Sequence, residues 1–270
     1  MIISSTYKYV FIQLPHTASS SLGDELVENY EGQKVLDKHS AYHEFLKVST
    51  EEEKQYFVFS SIRNPLDIVL TRYFKYKTNH NNTFTNPKTW KRNGGWVPDY
   101  QLRRFKFIEE NDADFPTYFK KFHKFTYDNW SRLEHKNFDF VIRYENLQED
   151  FSKVLNLMGI EQKRPLPMAN KTASKSKDKY SYITPEIRQQ ATEIFGPFME
   201  KWIYEFPTEW NNNKIPWYRY VEHEFSGFFK ELYWRYWKTQ LGGRLPQFLI
   251  LKPSRETGWS KWRQPSQSKS

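Results

Sequence analysis

The sequence predicts an α/β fold in which a parallel sheet is flanked by helices. Three apolar runs carry that expectation: YKYVFIQL at residues 7–14, YFVFSSI at 56–62 and FDFVIRYENL at 138–147. Each gives way to a polar break and then to residues at helical spacing, the order that a parallel sheet with crossover helices requires. The chain has 270 residues, 38% of them hydrophobic and 19% aromatic, which supplies a core for one large domain with an appendage.

Taken in order, the first run is a buried strand, and Leu22 and Leu26 then share one face of a helix over 19–30. A second helix is expected over 39–48 (HSAYHEFLKV). The second strand stops at Arg63-Asn64-Pro65, and residues 66–76 follow as an amphipathic helix. Residues 77–137 form a long polar-aromatic insert that holds Trp90, Trp96 and the turn Asn93-Gly94-Gly95. The third strand leads to a helix that ends near Gly159. Residues 161–179 are lysine-rich and broken by prolines, so they form a loop. Thr184-Pro185-Glu186 is a helix start, with a cap, a proline at the first helical position and an acid in the first turn. The expected organisation is an α/β domain over 1–207, carrying the insert, and a basic aromatic extension over 208–270.

Composition excludes several functions. The chain has no cysteine, so disulfides, thiolate metal sites and a cysteine nucleophile are out. No run of eighteen apolar residues exists and the N-terminal residues lack the zones of a signal peptide, so a cytoplasmic location is expected. The net charge is +9, but residues 208–270 hold eleven Lys and Arg against five Asp and Glu. Basic character therefore belongs mostly to the extension, and its spread does not suggest a nucleic-acid partner. Within it, FSGFFKELYWRYWKTQL (225–241) sets Phe225, Phe229, Leu232, Tyr236 and Leu241 along one helical face. Such a stripe suits an anionic membrane surface. The plainer expectation is a helix packed on its own domain.

The chemistry gathers at the ends of the first two strands. LPHTASSSL (14–22) carries a strand through a proline and five small residues into a helix, whose N-terminal N–H groups and dipole favour an anion. Hydroxyls from Thr17, Ser19, Ser20 and Ser21 add donors. The loop has neither the glycines nor the lysine of G-x-x-x-x-G-K-[ST], which disfavours an ordinary ATPase. The second strand ends at Arg63, which can hold a phosphate bidentately, and Thr71 follows two turns into the next helix. Two anion grips on neighbouring strands suit a ligand with two separated anionic groups.

These segments resemble the sulfotransferases that use 3′-phosphoadenosine 5′-phosphosulfate. YVFIQLPHTASSSLGDEL is similar to their first signature, where a strand ends in Pro-Lys-Thr-Gly-Gly-Thr-Ser, and FVFSSIRNPLDIVLTRYF to their second. FDFVIRYENLQEDF and YITPEIRQQATEIFGPFMEKWIYEF resemble later segments of the carbohydrate-type branch. The likeness spans residues 7 to about 207 in conserved order.

The resemblance implies a single α/β domain and a metal-free, in-line transfer of a sulfuryl group from 3′-phosphoadenosine 5′-phosphosulfate to a hydroxyl of a carbohydrate or similar acceptor. It assigns Pro15, His16, Thr17, Ala18, Ser19, Ser20 and Ser21 to the 5′-phosphosulfate. Arg63 and Thr71, the latter a serine in the family pattern, fall to the 3′-phosphate. Asn170, Thr172 and Ser174 belong to a segment that closes over the nucleotide.

Two positions depart from the pattern. His16 replaces the lysine that stabilises the leaving phosphate. An imidazole has a reference pKa of ~6.5, and a neighbouring phosphosulfate favours its charged form, which can donate to the bridging oxygen. Ala18-Ser19 replaces Gly-Gly, which keeps a tight turn only if neither residue must be left-handed. The alternative is a catalytically inactive relative that keeps nucleotide or glycan binding and attaches to membranes through its tail.

An acceptor hydroxyl needs a base, and His39, ahead of the second helix, is the candidate. His43 lies one turn on, but Ser40 stands where the metalloprotease motif needs glutamate. Glu44 and His80 are the fallbacks. In the insert, Trp90, Trp96, Tyr100 and Trp130 are able to stack on sugar rings, with Arg103, Arg104 and Lys106 facing acidic groups. The plainer reading is that most of these aromatics build a core.

Overall fold

A computed structural model describes residues 1–167, 179–210 and 214–237. These divide into two compact units. One is drawn from the described residues of 1–63, 128–169 and 226–270, the other from those of 64–127 and 170–225.

The first unit holds the sheet. Its strands are β1 (Ile2–Ser4), β2 (Tyr9–Ile12), β3 (Gln33–Lys34), β4 (Phe57–Ile62) and β5 (Phe140–Arg143), in the order β3-β1-β2-β4-β5. The centre is parallel: Tyr9 pairs with Phe57 across β2 and β4, and Phe59 with Phe140 across β4 and β5. These three strands are the expected ones. Their side chains are mostly buried on both faces, which explains why they read as continuous apolar runs. The sequence reading did not separate β1 and β3, which add an antiparallel edge through Ile2↔Phe11 and Ile3↔Gln33.

Around the sheet lie α1 (Ser19–Asn29), α2 (Tyr42–Val48), α6 (Ser131–Glu134) and α7 (Leu147–Leu157). Tyr9, Phe11, Leu22, Leu26, Phe59 and Phe151 form the heart of the core. The Tyr9 hydroxyl donates to the Tyr30 carbonyl at 2.8 Å, pinning the end of α1 to the central strand. Helix α2 starts three residues later than expected, because the Ala41 N–H is capped by the Glu44 carboxylate at 2.6 Å. Gly159, at φ 70°, ends the turn after α7 in the left-handed region.

The second unit contains α3 (Pro65–Lys77), α4 (Asp99–Asn111), α5 (Phe115–Phe122) and α8 (Pro185–Lys201) around an aromatic core that includes Tyr73, Phe105, Tyr118 and Phe195. Asn64 caps α3 by accepting from Leu66 N, and Pro65 occupies the first helical position. Pro185 opens α8 as expected. Thr184 does not cap it through its side chain, since its hydroxyl lies 3.4 Å from Glu186 Oε1 instead.

Helix α9 (Trp217–Leu232) corrects the expectation for the tail. Phe225 is 66% exposed and Phe229 52%, so the stripe does not pack down as a core face. The side chain of Tyr236, and Leu241, lie outside the described residues.

Candidate functional site

The loop after β2 is held from beneath. Thr17 is fully buried, and its hydroxyl donates to the Leu14 carbonyl at 2.7 Å while lying 2.7 Å from Ser61 Oγ. A hydroxyl has one hydrogen, so Ser61 is the donor in the second bond. Ser61 belongs to β4, and the pair therefore ties the loop to the neighbouring strand. Gln13 Nε2 donates to the Ser19 carbonyl at 2.8 Å, fixing the first residue of α1.

The turn does use left-handed backbone, contrary to the condition that its missing glycines set. His16 has φ 68° and Ala18 φ 61°, ψ 17°. Only a few residues reverse the chain from β2 into α1, and the bonds from Thr17 and Gln13 hold the reversal. A left-handed alanine costs about 1–2 kcal/mol, so the loop is kept against local strain.

Donors face the mouth of this loop. The first intrahelical bond of α1 runs from Leu22 N to the Ala18 carbonyl at 3.1 Å. No side chain caps the helix and no acid sits in its first turn. The N–H groups of Ser19, Ser20 and Ser21 precede that first bond, at the positive end of the dipole. His16 is exposed, Pro15 and Ala18 are half-buried, and Ser20 and Ser21 keep half-buried side chains. Lys38 brings an ammonium to the same place, donating to Ser20 Oγ at 2.8 Å. No local spacing marks Lys38 for this role, because eighteen residues separate it from its partner.

Arg63 follows β4 and is 9% exposed. Its Nη1 donates to the His16 carbonyl at 3.3 Å, and its guanidinium lies 3.8 Å over the ring of Tyr144, in the turn after β5. Loop, Arg63 and Tyr144 thus meet beyond the carboxyl ends of three parallel strands, where open α/β sheets bind ligands. Thr71 is buried on α3 in the second unit. Asn170, Thr172 and Ser174 lie outside the described residues.

His39 is drawn to the loop by Gln13. Its Nδ1 lies 2.8 Å from the Gln13 carbonyl, which only accepts, so Nδ1 holds the proton and a neutral ring carries its lone pair on Nε2. The ring meets Trp130 edge-on at 6.0 Å, and Trp130 meets Trp234 at 4.5 Å. His43, by contrast, is a packed residue of α2. Burial, reinforced by the Arg235 cation, lowers its pKa to about 4 and keeps it neutral. Glu44 is engaged in capping α2, and His80 lies in a short turn of the second unit.

In the insert, Trp90 packs against the second unit's core and donates to the Phe84 carbonyl at 3.2 Å. Trp96 is 71% exposed and Tyr100 46%. Arg103 and Lys106 are exposed on α4, whereas Arg104 is half-buried near the Phe122 ring.

Compared with known proteins, residues 1–205 match the family model described as "Sulfotransferase family". No curated protein and no solved structure matches the chain.

Proposed function

This chain belongs to the sulfotransferase family, and from that premise we propose that it transfers a sulfuryl group from 3′-phosphoadenosine 5′-phosphosulfate to a hydroxyl of a carbohydrate or similar acceptor. One observation carries the reading. An uncapped helix N-terminus, the Lys38 ammonium and the Arg63 guanidinium converge on the loop that presents His16.

The donor supplies an activated sulfuryl group on a phosphate leaving group. Residues 15–21 grip its 5′ end through the N–H groups at the start of α1 and the hydroxyls of Ser20 and Ser21. The Thr17 hydroxyl serves the loop itself, being committed to Leu14 and Ser61. His16 donates towards the oxygen on which charge develops, and the Lys38 ammonium adds positive charge beside Ser20. Arg63 holds the 3′-phosphate. Nε2 of His39 takes the acceptor proton. Exposed Trp96 and Tyr100 offer stacking faces for a sugar ring.

Calorimetry with 3′-phosphoadenosine 5′-phosphate, against AMP and ATP, tests the reading. Binding that requires both the 3′-phosphate and Arg63 is expected, with Arg63→Ala losing it. A folded wild-type protein that does not bind the 3′,5′-bisphosphate overturns it.

A further inference from the structure

Helix α9 turns its apolar residues outward. Its buried positions are His223, 2% exposed, and Gly227, where an added Cβ would meet the Arg132 guanidinium at 2.0 Å. Arg219 is half-buried and bonded to Glu193 and Glu222. Against these stand Trp217 at 76% exposure, Val221 at 56%, Phe228 at 53% and Tyr218 at 47%, with Phe225 and Phe229 exposed beside them. At ~100° per residue, those six fall within an arc of roughly 120°. Single exposed aromatics are ordinary, but a continuous aromatic face marks an interaction surface.

Charge indicates what covers it. Within α9 and the turn after it, Arg219, Lys230 and Arg235 are balanced by Glu222, Glu224 and Glu231. Residues 238–270, directly following, hold seven Lys and Arg against the single acid Glu256, and add Trp259 and Trp262. An aromatic helix followed in sequence by basic residues is the composition that suits an anionic lipid headgroup layer. Trp and Tyr settle at that depth, and each Lys or Arg adds attraction to anionic lipid. No described helix is long and apolar enough to cross a membrane. A helix with charges along its other side suits lying in the interface plane.

We propose that the exposed face of α9 docks this protein on the surface of an anionic lipid bilayer. Flotation of the full chain tests this, with phosphatidylcholine vesicles made with and without phosphatidylserine. The protein is expected to float with the phosphatidylserine vesicles, to stay behind with phosphatidylcholine alone, and to bind less as salt is added. Trp217→Ser combined with Phe228→Ser should lower the bound fraction roughly tenfold. Both side chains are exposed, and an unchanged melting curve checks that the variant is folded. Lys238→Gln, Arg244→Gln and Lys252→Gln together should erase the preference for phosphatidylserine. Failure of the wild type to float, or equal flotation of the Trp217/Phe228 variant, overturns the proposal. So does a wild-type dimer that floats with neither vesicle and that the same two substitutions dissolve, which would assign the face to a second copy.

Discussion

The guanidinium carbon of Arg63 lies 3.8 Å from the centre of the Tyr144 ring while its Nη1 reaches the His16 carbonyl. One side chain therefore links its own strand end, the turn after β5 and the loop after β2. Stacking and a fork of donors are properties of a planar guanidinium, not of an ammonium. Arg63→Lys, which keeps the charge, should still reduce the preference for 3′-phosphoadenosine 5′-phosphate over AMP about tenfold or more. Tyr144→Leu should weaken binding by roughly severalfold, since the cation survives without its platform. Calorimetry of both variants separates geometry from charge.

Lys38 reaches Ser20 Oγ at 2.8 Å and brings its ammonium to the start of α1. Lys38→Gln should weaken binding of the bisphosphate about tenfold at low salt, and binding should then depend less steeply on salt than in wild type. Lys38→Arg keeps the charge and should retain most of the affinity. Equal affinities and equal salt slopes in wild type and Lys38→Gln would deny Lys38 any share in anion binding. An unchanged melting curve of the variant separates a lost contact from a structural loss.

Ala18 is the residue whose backbone and side chain disagree, with φ at 61° and a Cβ that this region disfavours. Ala18→Gly removes that conflict but adds freedom to the unfolded chain. The net expectation is a gain of about 1 kcal/mol, seen as a higher urea midpoint. A lower midpoint would mean that the turn does not hold this conformation in solution.

The same residue shows where the sequence stops being informative. Left-handed turns are usually announced by glycine or asparagine, and here the strain is imposed by Thr17 and Gln13, whose partners are tertiary. β2, β4 and β5 were legible because each is an apolar run that ends in a polar break. β1 and β3, of three and two residues, are too short for any period to register. Lys38 was hidden because its contact with Ser20 depends on how the chain returns to α1, not on spacing. For α9, periodicity showed which residues share a face, but not whether that face looks inward. The direction was decided by the polar side, where His223 and Gly227 are the positions that pack.

Two buried histidines should make the protein sensitive to acid. Ser60 donates its hydrogen to the Ile12 carbonyl at 2.6 Å, so His135 Nε2, 2.7 Å away, must donate to Ser60 Oγ. Burial lowers the pKa of His135 to about 3, while burial and the Arg235 cation hold His43 at about 4. In the unfolded chain both titrate near ~6.5. Above that value neither state is protonated and the full stability is present. Below it the unfolded chain takes up protons that the folded form refuses, so stability falls with pH down to the folded values. Each histidine is expected to remove about 2 kcal/mol at pH 5. His43→Phe replaces one titrating ring with an apolar ring of similar size. Its urea midpoint should therefore drop less than the wild-type midpoint between about pH 7 and about pH 5. Equal drops would show that His43 does not change its proton occupancy on unfolding.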